Sequence, residues 1–599
     1  MSRKRTEIDE KYKWNLTPLY ASDEEWDADF RKLDDLLEKT CELRGKLGGS
    51  PEQLAEAYKR FDSLYRLLEK LYTLAHLKSD ENIGDSGSMG RLNRIAAKFA
   101  EIQGASAWFE PEILALPEEA LSGYLQSPVL GFYRRSLEEL MRDKPHTLSA
   151  AEEKILGLAS DALSTPSDTF SALSNADMKF PEIINADGKK MELTNGNYIK
   201  FLESEKREVR RNAFNAMYDT YGKYRNTLAA TLAGAVKTHV LNARLRNFSG
   251  ALDASLHGDN IPHAVYENLI EAVNNNLEYF YDYLEIRGKA LKLDQLDMYD
   301  LHAPVIKGHS VSFSWEESAE TVLAALSPLG EEYTDEATAG LQSRWVDVYE
   351  SEGKRSGAYS GGCYDSFPYI LMNFNGTLND VFTLAHELGH SMHSLFSRKS
   401  QDYHYADYRI FVAEVASTTN ELLLHHYLMK NTDDIKFKMY LLSHLADEIR
   451  GTVYRQTMFA EFEKLIHENF ESGSPLTADS LSEAYFNLNR KYHGPGMAAN
   501  ERIAIEWARI PHFYYNFYVY KYATGFSAAT ALSRNLIKGG ENGREAYLNF
   551  LRAGSTKDVL DILKDAGVDL TKPEPVNDAL KLFADTATEL GELLNTVLE

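Results

Sequence analysis

The sequence has few cysteines, an excess of negative over positive charge, and no long apolar run. It has 599 residues with only two cysteines, Cys41 and Cys363. That number excludes a disulfide scaffold and a cysteine-rich zinc module, and it fits a reducing compartment. Lysine and arginine number 65 against 90 aspartates and glutamates, a formal net charge of −25. This balance disfavours nucleic acid and anionic membranes as partners.

Targeting and membrane signals are also missing. The basic start, Met1–Arg5, is followed by Glu7 and Asp9 rather than by an apolar stretch, so we expect no signal peptide. Nowhere do about 18 apolar residues follow one another, and no membrane span is predicted. We expect a cytoplasmic monomer that binds neither nucleic acid nor membrane.

Most of the chain has the spacing of amphipathic helices. In residues 52–75 apolar side chains recur every three or four positions, and Ser50-Pro51 supplies an N-cap and a first-turn proline. Similar patterns begin near residues 150, 206, 264 and 314 and fill most of the chain after Val381. Taken singly, each stripe indicates only core packing. The fold class is therefore predicted as mainly α, with boundaries near residues 115 and 200.

Strand signals are few. Residues 178–184 and 190–194 flank Asp187-Gly188, which favours a tight hairpin turn. A second strand is predicted over Pro368–Phe374, and an extended peptide could pair with it if it lies at a sheet edge, although a buried structural strand would look the same. A helix is predicted to begin after Thr377, with Asp380 completing a variant of the capping box.

The residues at 386–390 point to a metal site. His386 and His390 lie four positions apart, so both imidazoles project from one face of a helix and one ion can bind both. Glu387, one position after the first histidine, could take a proton from a water on the metal. Gly389 is costly inside a helix, so it could allow another element to pack closely. Two histidines on a surface helix are the alternative, but the apolar neighbours of the pair favour burial.

A catalytic zinc needs a third protein ligand and an open position. Glu414 lies in an otherwise apolar stretch, where an unpaired carboxylate would be costly, so it is the candidate ligand. Glu421, seven residues later, could orient a ligand imidazole. His393 is a rival third ligand, but a straight helix carries it about 10 Å from His386. Packing or support of a ligand is the expected role of His393.

These residues resemble a known family. The run His386–His390 followed by Phe411–Glu414 is similar to the thimet oligopeptidase family of metallopeptidases, and especially to its bacterial oligoendopeptidase F branch. Three further stretches resemble that branch, namely Gly357–Gly362, His493–Gly496 and the aromatic segment from His512 to Tyr522. The resemblance covers essentially the whole chain and is strongest from about residue 190 onward.

The resemblance implies a mainly helical, two-lobed ellipsoidal body with a deep channel, a small β element near the metal helix, and one Zn²⁺ per chain. The channel would admit unstructured oligopeptides and exclude folded proteins. By position, His386, His390 and Glu414 would bind the zinc, and Glu387 would be the general base. In this interpretation residues 1–115 form an N-terminal helical region, 116–200 add helices and a hairpin to the upper lobe, and 201–599 form the catalytic domain.

The aromatic segment offers donors for the reaction. His512, Tyr515, Tyr518 and Tyr522 are predicted to share one helical face, and hydroxyl and imidazole donors could stabilise negative charge on a carbonyl oxygen. Family likeness points to His512, Tyr515 and Tyr522, while an aromatic core stripe is the alternative. His493–Gly496 is predicted to be a loop whose glycines could close over a peptide.

Three functions remain open from the residues. A zinc endopeptidase acting on oligopeptides is the leading hypothesis. A zinc exopeptidase would need a charged pocket for a chain terminus, and no motif for one is visible. A helical peptide-binding scaffold with a structural metal would normally close the metal with four protein ligands. Only three are evident here.

Overall fold

The protein is mainly α-helical, as the periodicity predicts. A computed structural model describes residues 3–306 and 311–598, with only the backbone for the last two of these. The first helices are α1 (Asp23–Cys41), α2 (Pro51–Glu81), α3 (Ser86–Ser106), α4 (Phe109–Leu114), α5 (Glu118–Gln126), α6 (Arg134–Asp143), α7 (Ala150–Ala172), α8 (Tyr198–Leu202), α9 (Arg207–Lys223), α10 (Arg225–Leu245), α11 (Ala251–His257) and α12 (His263–Asn275).

The later helices follow with few strands between them. They are α13 (Leu277–Leu291), α14 (Trp315–Ala325), α15 (Glu331–Gln342), α16 (Leu378–Ser400), α17 (Ala413–Asn431), α18 (Ile435–Ile449), α19 (Arg455–Glu471), α20 (Ala478–His493), α21 (Tyr520–Arg552), α22 (Val559–Asp565) and α23 (Glu574–Leu598). Within the described residues, none of these helices is apolar over a long enough stretch to cross a membrane.

Helix α2 shows how local signals set the helix ends. Ser50 has extended backbone and its side chain accepts a hydrogen bond from the Gln53 amide, while Pro51 occupies the first turn. This is the predicted start, since proline lacks the amide hydrogen that the first turn leaves unpaired anyway. Leu54, Leu64 and Leu68 are fully buried. The apolar stripe therefore faces the core, as expected.

The strands form two small sheets. β1 (Glu182–Ile184) and β2 (Lys190–Glu192) pair antiparallel, which confirms the predicted hairpin. The second sheet has the order β3-β5-β4, with β3 (Val346–Asp347), β4 (Tyr359–Gly361) and β5 (Tyr369–Leu371). β5 runs parallel to β3 and antiparallel to β4. The strand predicted at Pro368–Phe374 is thus present, but it is central, so its suggested role as a free edge is wrong.

The chain folds into two compact units, each built from separated segments. Unit 1 comprises Met1–Thr147, Ser310–Tyr427 and Leu532–Gly567, and unit 2 comprises Leu148–His309, Leu428–Ala531 and Val568–Glu599. The sequence boundaries predicted near residues 115 and 200 do not coincide with the ends of these segments and stay a prediction. The ellipsoidal shape and the channel implied by the resemblance also stay predictions.

The core of unit 1 joins the beginning of the chain to the second sheet. Trp14, Leu71 and Leu74 belong to one buried apolar cluster with Tyr369 and Leu371 of β5. β4 and β5 in turn contact helix α16. The N-terminal helices therefore support the sheet on which α16 rests.

Candidate metal centre

Helix α16 carries the paired histidines and begins where the sequence predicts. The Thr377 side chain accepts from the Asp380 amide, and the Asp380 carboxylate accepts from the Thr377 amide. The apolar face of the helix is buried, including Leu384, Ala385 and Leu388. The helix is therefore held in place, and the spacing of the motif sets the direction of both imidazoles.

Three donor atoms converge between α16 and the first turn of α17. Nε2 of His386 lies 3.2 Å from Nε2 of His390. Oε2 of Glu414 lies 3.3 Å from the first nitrogen and 3.4 Å from the second. These side chains form a group that could hold a metal ion. The structure thus brings together the three residues that the sequence singles out as ligands.

The donor triangle fits a tetrahedral metal. Zinc binds imidazole nitrogen and carboxylate oxygen at about 2.0–2.1 Å, which sets neighbouring ligand atoms about 3.3–3.4 Å apart. The observed separations of 3.2, 3.3 and 3.4 Å match this spacing. Two imidazole nitrogens and one carboxylate oxygen are also a donor set that suits zinc. The residues present therefore fit such an ion.

Gly389 explains how Glu414 reaches the histidines. A Cβ at this position would lie 2.5 Å from Cα of Ser417 and 2.8 Å from the Ala416 carbonyl oxygen. Only a residue without a side chain permits this approach of α16 to α17. The prediction that Gly389 admits a close neighbour is confirmed.

Asn420 ties the same two helices together and was missed by the sequence analysis. Its Nδ2 donates to the Ala385 carbonyl at 3.0 Å and also contacts the hydroxyl of Tyr333 at 3.0 Å. Asn420 is fully buried. The sequence gives no signal for this role, because Asn420 lies among the polar residues Thr418, Thr419 and Glu421.

Both ends of the ligand set are supported by hydrogen-bonding groups. Oε2 of Glu421 lies 3.3 Å from Nδ1 of His386, which leaves Nε2 of that ring directed at the other donors. The Ser417 hydroxyl donates to Oε2 of Glu414 at 3.1 Å. Ser417 was not predicted, because a serine in a helix carries no distinguishing pattern.

The electrostatics favour a positive charge among the three donors. Burial lowers the pKa of His386, but contacts with Glu414 and Glu421 outweigh it and raise the pKa to about 11. Burial also opposes ionisation of Glu414, yet His386 and His390 hold the pKa of this carboxyl well below its usual range. A metal ion must therefore compete with a proton for these ligands.

Glu387 and His393 differ in their surroundings. Glu387 is only 7% exposed, and burial raises the pKa of its carboxyl. A carboxylate with a raised pKa is a better proton acceptor near neutral pH. His393 is buried and stacks on Tyr408 with ring centroids 3.6 Å apart. His393 is not in the three-residue donor group found among the described residues, in line with the packing role expected for it.

Strand β4 contacts the metal helix directly. The hydroxyls of Ser360 on β4 and Ser391 on α16 lie 2.8 Å apart. Among the described residues, β4 has a neighbouring strand on one side only. One edge of this sheet therefore lies in the segment Gly357–Gly362 and not at Pro368–Phe374, and β3 is the other edge strand.

The aromatic segment in unit 2 is not one continuous helix. A short 3₁₀ helix, Pro511–Tyr514, ends before Asn516 and Phe517, whose φ angles are 50° and 59°, and α21 begins at Tyr520. The prediction that His512, Tyr515, Tyr518 and Tyr522 share one helical face is therefore wrong, because two left-handed residues interrupt the helix.

The same side chains nevertheless meet. Nε2 of His512 lies 3.2 Å from the hydroxyl of Tyr522, and the rings of His512 and Tyr515 are 5.7 Å apart. Tyr515 is 55% exposed. Burial lowers the pKa of His512, so this imidazole is neutral at pH 7 and can donate one hydrogen bond. The break in the helix, rather than helical spacing, brings these groups together.

The predicted loop at His493–Gly496 is present. Helix α20 ends at His493, and Gly494 has a positive φ of 68°. A Cβ there would lie 2.6 Å from the ring of Tyr281. The glycine is therefore required by this close approach, while closure over a peptide stays a prediction.

Comparisons with known proteins match this chain to a family of peptidases. Residues 200–582 match the family described as "Peptidase family M3", and residues 112–180 match one described as "Oligopeptidase F". Oligopeptidase PepF of Bacillus subtilis is 46% identical over 594 residues, covering 99% of this chain and 89% of its own.

Two solved structures are similar over almost the whole chain. A crystal structure from Chlamydophila abortus has a TM-score of 0.93 at 38% identity and covers 99% of this chain and 100% of its own. Oligoendopeptidase-F from Enterococcus faecium has a TM-score of 0.74 at 36% identity, covering 96% and 99%. The chain belongs to peptidase family M3, in its oligoendopeptidase F branch.

Proposed function

We propose that this protein cleaves internal bonds of short, unstructured peptides with one zinc ion bound by His386, His390 and Glu414. Membership of family M3 makes it a metalloendopeptidase that acts on oligopeptides. The choice of zinc is supported by the spacing of the three donor atoms, 3.2–3.4 Å, which suits a tetrahedral ion. That convergence is the observation on which the proposal rests.

Glu387 is the general base of the proposed reaction. When bound, zinc supplies a Lewis acid that brings the pKa of a coordinated water toward about 7. Glu387 takes a proton from the attacking water and passes it to the leaving amine. Its burial and raised pKa suit this exchange near neutral pH. Glu421 holds His386 in the orientation that ligation requires.

His512, Tyr515 and Tyr522 are the proposed donors to the carbonyl oxygen. Negative charge builds on that oxygen during attack, and fixed hydroxyl and imidazole donors stabilise it. The contact between His512 and Tyr522 and the exposure of Tyr515 support this role.

We propose that substrate docks on the side of β4 that has no neighbouring strand among the described residues. An extended peptide that pairs with Tyr359–Gly361 would be held by backbone hydrogen bonds, which are independent of side-chain identity. The contact of Ser360 with Ser391 on α16 supports the assignment, since it joins this edge to the helix that carries His390.

The remaining assignments concern the chain as a whole. We propose residues 201–599 as the catalytic domain, which the family match over residues 200–582 supports. A cytoplasmic location is supported by two cysteines that form no disulfide with each other. We also propose a monomer without nucleic-acid or membrane partners, and the acidic charge of −25 supports this.

Glu387→Gln is the variant that tests the mechanism. It keeps the shape of the side chain but removes its capacity to accept a proton, so we expect about one zinc per chain and a loss of several orders of magnitude in kcat. Metal content by mass spectrometry and turnover of a quenched fluorescent peptide measure the two effects. Glu285→Gln, at an exposed glutamate of α13, is the control and should match the unmodified protein. Near-normal turnover in Glu387→Gln would exclude Glu387 as the base.

Blocked peptides test the position of cleavage. An endopeptidase should cleave peptides with an acetylated N-terminus and an amidated C-terminus at internal bonds, which mass spectrometry of the products shows directly. Cleavage restricted to free termini would favour the exopeptidase alternative.

A further inference from the structure

Unit 2 contains a cavity of about 360 Å³ that the proposed reaction does not use. Its walls come from α8, α9, α13, α18, α19 and α20, the segment 298–302, a π-helix at Arg450–Tyr454, and residues 503–509. No residue proposed as a metal ligand or catalytic group is part of its lining as described. π-Helices are rare and occur frequently at functional sites. We call this space the arginine cavity.

The walls are partly apolar. Aliphatic, thioether and aromatic side chains cover a large part of the surface, including those of Leu202, Phe214, Phe280, Met298 and Met458. A volume of about 360 Å³ is at the small end of the range for ligand pockets, about 300–1,000 Å³. The cavity therefore suits a small molecule with an apolar body.

The charged side chains around the cavity do not balance. Oδ1 of Asp447 lies 3.1 Å from Nε of Arg450, and Oδ2 lies 3.3 Å from Nη1 of Arg287, so one carboxylate serves two guanidinium groups. Oε1 of Glu506 lies 2.6 Å from Nη2 of Arg455 and 3.7 Å from Nε of Arg509. The Glu506 carboxylate is therefore also shared by two guanidinium groups.

The lining itself holds three guanidiniums against two carboxylates, an excess of one positive charge, and the buried Arg287, which is not part of the lining, adds a second. The neighbouring Asp300 does not offset them, because it is engaged by Arg207 and Arg210 at 2.8 and 2.7 Å. Burial lowers the pKa of His302 to about 3 and that of His493 to about 4. Both imidazoles are neutral at pH 7 and add no charge. An anion is the ligand that completes this balance.

Two buried donors in the lining have no hydrogen-bond partner among the described residues. They are Nδ2 of Asn489 and Nε of Arg509, whose distance of 3.7 Å from Oε1 of Glu506 is too long for a hydrogen bond. Asn489 is only 4% exposed, and a buried amide without a partner costs roughly 1–3 kcal/mol. A ligand with acceptor oxygens would satisfy both donors and meet the excess positive charge.

We propose that the arginine cavity binds a small organic carboxylate with an apolar or aromatic body. The carboxylate group accepts from Asn489 and from the guanidinium of Arg509, and the apolar body packs against the side chains of Phe214, Phe280 and Met458. The arginine cavity differs from the metal centre in its residues. Among the described residues, the group of converging metal donors is His386, His390 and Glu414, and none of these lines the cavity.

Titration with 3-phenylpropionate tests the proposal on the zinc-loaded enzyme. Isothermal titration calorimetry should show saturable binding at one site, and the uncharged 3-phenylpropionamide should bind at least about tenfold more weakly. Carboxylates can also bind zinc, so the titration is repeated after chelation, where binding should persist. Absence of saturable binding, equal affinity for the amide, or loss of binding on chelation would each overturn the assignment.

Gly451 provides a variant that fills the cavity without removing a charge. It lines the cavity, and a Cβ built there meets no atom within 4 Å. Gly451→Leu should abolish binding of 3-phenylpropionate, while Gly451→Ala should retain it. Gly222→Leu is the matched control. Gly222 lies in α9, and a Cβ built there also meets no atom within 4 Å, so this variant should bind 3-phenylpropionate normally. Unchanged binding in Gly451→Leu would refute the location.

Asn489→Asp is a second variant that does not depend on tolerance of a larger side chain. It preserves the size of the residue but replaces two donors with a negative charge, so affinity for 3-phenylpropionate should fall at least about tenfold. Affinity equal to that of the unmodified protein would exclude Asn489 from the site.

Discussion

Glu414 converts a pair of imidazoles into a site for a cation. Its Oε2 atom lies within 3.3–3.4 Å of both ring nitrogens, and the two rings hold its pKa well below the usual range. No spacing rule links residue 414 to residue 386, so the sequence indicates this carboxylate only through its apolar surroundings and through the family resemblance of Phe411–Glu414. The distance itself depends on how α16 and α17 pack.

Glu414→Ala should lower metal affinity at least about 100-fold, because it removes one of three protein ligands and the charge that neutralises the ion. Competition with a fluorescent zinc chelator measures the affinity, and metal analysis after dialysis measures the occupancy. Glu285→Ala should leave both unchanged. Full zinc occupancy in Glu414→Ala would place the third ligand elsewhere.

The sequence predicts some residues of the metal centre and not others. His386 and His390 follow from helix geometry alone, because residues four apart share a face. Glu421 follows from the same periodicity counted from Glu414. Ser417 and Asn420 could not be found, since their roles arise from contacts with Glu414 and with the Ala385 carbonyl that exist only after the helices meet.

The contact between α16 and α17 depends on one position. Gly389→Ala places a Cβ 2.5 Å from Cα of Ser417. This distance is too short, so the backbones of α16 and α17 must move apart. We expect a loss of about 1–3 kcal/mol in the free energy of unfolding and weaker metal binding. Thermal unfolding with and without zinc measures both effects.

Gly104→Ala is the matched control for Gly389→Ala. Gly104 lies inside α3 of the same unit, and a Cβ there meets nothing within 4 Å. Alanine favours helix over glycine by about 1 kcal/mol, so this variant should be neutral or slightly more stable. If Gly389→Ala were equally stable and bound zinc equally well, the close approach would not control the site.

The break before α21 depends on a buried carboxyl group. Glu463 is fully buried, and its Oε1 accepts at 2.7 Å from the amide of Phe517, which is one of the two left-handed residues. Burial raises the pKa of Glu463 to about 8. The sequence could not predict this break, because neither asparagine nor phenylalanine at 516 and 517 prevents a helix and the partner is 54 positions away.

Glu463→Gln should flatten the pH dependence of stability. Below about pH 4.5 the carboxyl is protonated in both states, and between there and about pH 8 only the folded state keeps its proton. Stability of the unmodified protein therefore falls as pH rises through this window, by the order of a few kcal/mol, and the variant is spared this loss.

Unfolding midpoints at pH 5, 7 and 9 measure the effect of Glu463→Gln. The advantage of the variant should grow from pH 5 to pH 9, whereas Glu285→Gln, which is exposed, should follow the unmodified protein. Parallel profiles for Glu463→Gln and the unmodified protein would show that the carboxyl does not titrate in this range.

At the scale of the whole molecule, the metal helix depends on the beginning of the chain. Tyr369 and Leu371 of β5 are fully buried in a cluster with Trp14 and Leu71, and the hydroxyl of Tyr369 donates to the Asn15 carbonyl at 2.8 Å. β5 and β4 contact α16. The N-terminal helices are therefore part of the support for the site.

A chain that begins at residue 116 should fail to form the metal centre. Deletion of residues 1–115 exposes the apolar side chains of β5, so we expect aggregation or a loosely packed state without stoichiometric zinc. Near-UV circular dichroism and metal analysis test this. Co-expression of residues 1–115 should restore zinc binding, and a soluble 116–599 fragment that binds one zinc unaided would contradict the expectation.

The sequence alone determined the helical class, the hairpin, the start of α16 and the pairing of His386 with His390, because each depends on contacts within a few residues. Tertiary structure decided the rest. The position of Glu414 beside the histidines, the central place of β5 and the meeting of His512 with Tyr522 arise from packing between segments distant along the chain. Local periodicity carries no information on such distances, since they are set by which surfaces bury each other.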